Sequence, residues 1–184
     1  MQRALHRLVP MLLVFAAPGA FAQTPAPATP PASPCADPQH RQFDFWVGNW
    51  NVTPNQGGPL IGRSRVESRI GDCVVHEHWF GKGDHVGESF NIYNAATGQW
   101  EQFWVADSGN RLYLHGGMVG ASMVIEGDRD RPDPKSGVLL RDRITYTPNA
   151  DGSVRQLWEI SADGGKTWNA SFDGLYRKAA TPVP

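Results

Sequence analysis

His76 and His78 flank Glu77 in the segment Val74-Val75-His76-Glu77-His78-Trp79, and this spacing sets two kinds of chemistry against each other. Side chains alternate between the faces of a strand, so both imidazoles share one face while Glu77 shares the other with Val75 and Trp79. Histidines two apart can ligate a metal when a third donor arrives from another strand, with His115, His85 or a carboxylate as the supplier. If Val75 and Trp79 face an apolar interior instead, the histidines face solvent and no metal site is expected. Glu77 then becomes the group of interest. A carboxylate between apolar walls must be paired or carry a raised pKa, and either state suits it to hold a polar ligand atom or to move a proton. Its expected companions are Asn91 and Gln102 or Glu101 on the next strands, with Arg141 or Arg143 further round; Trp79, Phe90, Trp104 and Trp158 would line the space or fill it. The plainer account of these residues is a satisfied buried network that fixes strand register.

Short strands must position these groups. Gly occurs 20 times, mostly between brief apolar or aromatic runs, a rhythm that belongs to antiparallel sheet. The pattern predicts strands over 43–53, 62–71, 73–81, 86–95, 98–107, 111–117, 120–128, 137–147, 153–162 and 167–178, with a helical turn only around Asp37 to Phe45. Asn94 to Gly98 and Pro148 to Gly152 read as hairpin turns. Ser161 to Trp168 reads as a third, in which Asp163 accepts backbone N–H bonds and Trp168 enters the core. Trp100, Gln102 and Trp104 share one face of their strand; Asp142, Ile144 and Tyr146 share one face of another; Trp168, Ala170, Phe172, Gly174 and Tyr176 form the most regular alternation. About ten such strands in one small domain must close or stack, so the expected fold is all-β, an antiparallel up-and-down barrel, with a β-sandwich as the alternative.

Compartment follows from the amino terminus. Arg3 and Arg7, the apolar run Leu8 to Phe15 and the closing Ala20-Phe21-Ala22 read as a secretory signal peptide over residues 1–22. A membrane anchor needs about 20 unbroken apolar residues, and Pro10 and Pro18 interrupt this stretch. Residues 23–40 read as a proline-rich disordered tether, with six prolines among the sixteen residues from Gln23 to Pro38. A single domain over 41–178 and a frayed tail over 179–184 complete the chain. Removing the leader leaves 184 − 22 = 162 residues, with 17 − 2 = 15 basic against 18 acidic side chains, a balance that disfavours a nucleic-acid partner held by charge. Only two cysteines are present, and in an oxidising periplasmic or extracellular compartment Cys35 and Cys73 are expected to form a disulfide. Phosphate-binding loops, nucleophile elbows and zinc-protease motifs are missing from the sequence.

The opening Arg41-Gln42-Phe43-Asp44-Phe45-Trp46-Val47-Gly48-Asn49-Trp50 resembles the signature of a family of uncharacterised secreted bacterial proteins, as do Gly71 to Trp79, Ser89 to Tyr93, Trp100 to Val105 and Phe172 to Arg177. Gly48-Asn49-Trp50 is also similar to the Gly-x-Trp of lipocalin-like (calycin) barrels. That likeness implies that Trp50 closes one barrel end while Arg177, on the last strand, packs across it, with Gly48 allowing close backbone approach. Ser161 to Trp168 fits the Asp-box pattern of sialidase-like propellers but occurs once, and is read as a convergent hairpin.

The expected function is a secreted or periplasmic protein, monomer or homodimer, that binds a small apolar or amphipathic molecule through Glu77, Trp79, Phe90, Asn91, Gln102, Trp104 and Trp158. One alternative is a barrel enzyme with Glu77 as general acid or base and Arg141 or Arg143 steadying an anionic intermediate. Another is a packed structural or interaction module. No cofactor is predicted; haem or a metal bound through His76 and His78 is the lesser alternative.

Overall fold

A computed structural model describes residues 33–184. The expected signal peptide over 1–22 and the expected tether as far as residue 32 lie outside the described residues, whereas residues 33–40 of that tether are held in place, with Cys35 buried and Gln39 and His40 N–H groups donating to Asp37 Oδ1. Ten strands follow a short 3-10 helix, Asp44–Trp46: β1 (Gly48–Pro54), β2 (Gly62–Arg69), β3 (Val74–Gly81), β4 (Val86–Asn94), β5 (Gln99–Ala106), β6 (Arg111–Val119), β7 (Ser122–Asp128), β8 (Arg141–Pro148), β9 (Val154–Ser161) and β10 (Asn169–Lys178). Each pairs antiparallel with its sequence neighbour, and β1 pairs with β10 through Val52 opposite Tyr176, so the sheet closes into a lipocalin-like barrel without free edges.

Alternation decides which side chains face inward. On β8, Asp142, Ile144 and Tyr146 are buried while Arg141, Arg143 and Thr145 look outward. The inner face divides into zones along the barrel axis. At one end Phe43, Trp46, Trp50, Trp100 and Tyr146 are almost wholly buried against one another. In the middle lies a buried polar belt of Ser64, Glu77, Ser89, Asn91 and Gln102. Towards the other end Trp79, Trp104, Leu112, Trp158 and Phe172 are half-buried.

Four local expectations are corrected. The predicted strand over 43–53 begins at Gly48, because residues 44–46 wind into the 3-10 helix, closed by Trp46 N–H to Phe43 O at 3.1 Å and Val47 N–H to Asp44 O at 3.0 Å. That winding carries Phe43 and Trp46 beneath the barrel. The strand expected from 137 begins at Arg141, since Gly137 takes a positive φ of 69° and donates its N–H to Asp133 O, completing a turn. Trp168 stays outside the core: the β9–β10 register shifts between Ala170 and Phe172, so Ser171 is an extra residue that reverses the alternation. The guanidinium of Arg143 lies 4.0 Å over the Trp168 ring on the outer wall. Finally, the tail over 179–184 is held rather than frayed, with Ala179 N–H donating to Asn49 O, Val183 N–H donating to Asn49 Oδ1, and Val183 buried.

The closed end is fastened covalently. Cys35 and Cys73 form the expected disulfide, which ties the segment before the 3-10 helix to the turn between β2 and β3. Trp50 is wholly buried there and donates its Nε1–H to Trp46 O at 2.8 Å. Arg177 does not cross it. Arg177 pairs with Asn51 and faces outward, while Lys178, opposite Trp50, sets Nζ 3.7 Å over the indole and donates to Val47 O at 2.8 Å. Gly48 takes φ 152°, a conformation L side chains rarely adopt, and a Cβ there would push the flexible Lys178 ammonium off Trp50.

Candidate functional site

Above the plugged end the interior keeps a cavity of about 110 Å³, lined by Glu77, Trp79, Gln102, Trp104, Leu112, Ile144, Tyr146, Gln156, Trp158, Phe172 and Tyr176. The period-two alternation puts these groups together, since every strand from β3 to β10 except β4 and β7 contributes an inward residue. The polar atoms are concentrated on the β2–β5 side. Ser64 Oγ donates to Glu77 Oε1 at 2.8 Å and Ser89 Oγ to Oε2 at 3.2 Å. Asn91 Nδ2 donates to Val75 O at 2.8 Å, and Gln102 Nε2 donates to Asn91 Oδ1 at 2.7 Å and to Tyr146 Oη at 2.9 Å. Tyr176 Oη donates to Gln156 Oε1 across the β9–β10 pair.

Glu77 has no cationic partner among the described residues. Burial raises its pKa to about 7, and the two serine hydroxyls pull only partly the other way. Tyr146 and Tyr176 are pushed well above the ordinary tyrosine value, first by burial and then by the nearby Glu77 charge, so both remain neutral phenols. The other enclosed carboxylate, Asp142, is fully engaged: Arg129 reaches it through Nε at 2.7 Å and Nη2 at 2.8 Å, and Trp158 Nε1 donates to Oδ1 at 2.8 Å. That network fixes the Trp158 ring at the mouth. Trp104 lies flat on the wall over Gly87, where a Cβ would collide with the ring.

Of the residues singled out in the sequence, Glu77, Trp79, Gln102, Trp104 and Trp158 line the cavity. Asn91 stands behind Gln102 and orients it. Phe90 does not take part. It alternates with the inward Ser89 and Asn91, so its ring lies on the outer wall, 42 % exposed and stacked on His76. Arg141 and Arg143 are likewise outside: Arg141 pairs with Glu126 and Asp128, and Arg143 with Glu159, so neither can steady an anion in the cavity. Glu101 also points outward, accepting from Asn94 Nδ2 at 2.7 Å. The sequence reading missed Leu112, Ile144, Tyr146, Gln156, Phe172 and Tyr176 as wall residues, although the alternation that places Asp142 and Gly174 inward already carried Ile144, Tyr146, Phe172 and Tyr176 with them.

The histidines do face outward, as the inward Val75, Glu77 and Trp79 require, yet they are not isolated. His78 pairs across the strands with Glu88, and the carboxylate lies 2.9 Å from His76 Nε2 and 3.5 Å from His78 Nδ1. One ligand atom from each residue falls within 4.8 Å of the others, so the three could coordinate a metal ion. Two imidazole nitrogens and a carboxylate oxygen suit a divalent transition metal such as zinc. The third donor is thus the carboxylate of the neighbouring strand, rather than His85 or His115, and the cluster sits on the opposite face of β3 from the cavity.

The geometry defines a closed lipocalin-like barrel with an interior cavity suited to ligand binding or to catalysis. No helix among the described residues is long and apolar enough to cross a membrane. No family model matches the chain, and no curated protein matches its sequence.

Proposed function

We propose that the barrel interior is an acid–base pocket for a small, partly apolar molecule, with Glu77 as the group that exchanges a proton with it. The observation that carries this reading is a carboxyl group set in an aromatic-lined cavity with two hydroxyl donors and no cation. Its pKa of about 7 supports it, because a group titrating near working pH gives and takes protons with equal ease. A bound molecule would rest against Trp104 and Trp158 with its polar atom towards Glu77, while Ser64 and Ser89 hold the carboxylate still. The enclosed volume of about 110 Å³ is smaller than the apolar cavity of about 150 Å³ that takes up benzene, so a molecule with one ring would keep part of its body in the mouth.

A carrier that holds the molecule without changing it is the second reading. The outward placement of Arg141 and Arg143 favours it, because the cavity then offers no cation to stabilise an anionic intermediate. We also infer that the protein acts in the periplasm or outside the cell and belongs with the secreted bacterial proteins its opening motif resembles; the Cys35–Cys73 bridge supports an oxidising compartment.

Screening compact aromatic and aliphatic carbonyl compounds, alcohols and amines by tryptophan fluorescence, with mass spectrometry for products, tests the two readings together. The acid–base reading expects product from the wild type, none from Glu77→Gln despite retained binding, and a rate profile bending near pH 7. Equal product from both proteins would remove Glu77 from the chemistry, and binding without product in either would leave the carrier.

A further inference from the structure

Resting on the reading that the interior takes a small molecule, we propose that its occupant is a compact organic cation, an ammonium group carried on a small apolar body. Charge inside the barrel is the first ground. Glu77 and Asp142 are the two enclosed carboxylates among the described residues, and Asp142 is already neutralised by the paired contact with Arg129. Arg141, Arg143 and Arg155 all spend their charge on carboxylates of the outer wall, namely Glu126, Asp128, Glu159 and Asp173. One carboxyl is therefore left without a counter-charge, and it borders the cavity.

The walls are the second ground. Trp79, Trp104, Trp158, Phe172, Tyr146 and Tyr176 surround the same space, and the negative faces of aromatic rings attract ammonium groups, most strongly where water is excluded. An anion would meet the same ring faces and Glu77 with nothing to balance it. A neutral molecule would leave the carboxyl as poorly solvated as before. An ammonium group supplies the missing charge, and its N–H groups can donate to the oxygens that Ser64 and Ser89 leave partly free. The cavity of about 110 Å³, smaller than one that encloses benzene, takes the ammonium end and part of a one-ring body, with the remainder in the mouth.

Three probes of one shape separate charge from fit: benzylamine, benzyl alcohol and benzoate, titrated calorimetrically at pH 7.5 into wild type, Glu77→Gln and Glu77→Asp. Wild type should bind benzylamine at least tenfold more tightly than benzyl alcohol and should reject benzoate. Glu77→Gln should lose the preference for the amine while still taking the alcohol, and Glu77→Asp should keep part of it. The wild-type comparison stands even if a variant fails to fold. Alcohol binding as tight as amine binding would overturn the cation while leaving a small-molecule pocket. Binding of none of the three would overturn both.

Discussion

The two ends of the barrel are built from the same residue types and do opposite things with them. At the plugged end Phe43 stacks on Trp46 with centroids 5.1 Å apart, and Tyr146 meets both rings, at 4.9 Å and 4.6 Å. At the mouth Trp79 meets Phe172 edge-on at 5.9 Å, and Trp104 and Trp158 rest against the wall instead of against a plug. The difference lies in what covers them. The 3-10 helix and its disulfide return the chain across one end, whereas the rings at the other face a cavity. An aromatic residue in a small barrel is core where the chain folds back over it and pocket wall where it does not.

The largest effect should come from opening the plug. Trp46→Ala should cost about 3–5 kcal/mol of unfolding free energy, whereas Trp158→Ala at the mouth should cost clearly less and instead change ligand binding. Chemical denaturation of both variants checks this, and equal losses would erase the distinction between the ends. Next, replacing Cys35 and Cys73 by serine should cost roughly 4 kcal/mol, by releasing a cross-link with a sequence separation of 38, and should loosen the plug while leaving the mouth rings in place. Hydrogen exchange spread evenly over both ends would contradict that.

Glu77 gives a pH-dependent contrast between them. Its folded pKa, about 7, stands above the ordinary 4.5, so folding favours the protonated group. The resulting stability is fully present below pH 4.5, fades as pH rises and is gone above about 7, a change of roughly 3 kcal/mol from the size of the shift. The stability difference between wild type and Glu77→Gln should therefore decline over this window, and a pH-independent difference would show that Glu77 is not held in its neutral form. The smallest effect belongs to Lys178→Met, which should lose about 1 kcal/mol with the cation–π contact over Trp50, measurable as a small shift in denaturation midpoint.

Strand rhythm made most of the fold legible in advance, because glycine-rich turns and two-residue alternation are local properties of a chain. Alternation also fixed which side of β3 Glu77 occupies once Val75 and Trp79 were placed inward. It failed where a local irregularity reset it: the extra Ser171 turned Trp168 outward, and no composition signal marks a single bulge. The expectation that Arg177 crosses Trp50 came from the Gly-x-Trp resemblance rather than from alternation, which sets Arg177 on the face opposite Tyr176; Lys178, on the same face as Tyr176, takes that place. Phe90, Arg141 and Arg143 were grouped with Glu77 by chemistry alone, yet each alternates with an inward neighbour and lies outside.

Sequence alone determined that this protein is a chain of antiparallel hairpins with a cysteine pair able to bridge and with one acidic side chain on the apolar face of its strand. Whether that acid would find a counter-charge, and whether the space beside it would be filled, depended on contacts between residues far apart in the chain. Arg129 reaching Asp142 rather than Glu77, and the 3-10 helix covering one end of the barrel and not the other, are such contacts. Strand periodicity fixes the direction in which a side chain points, but only the closed barrel fixes what it meets there.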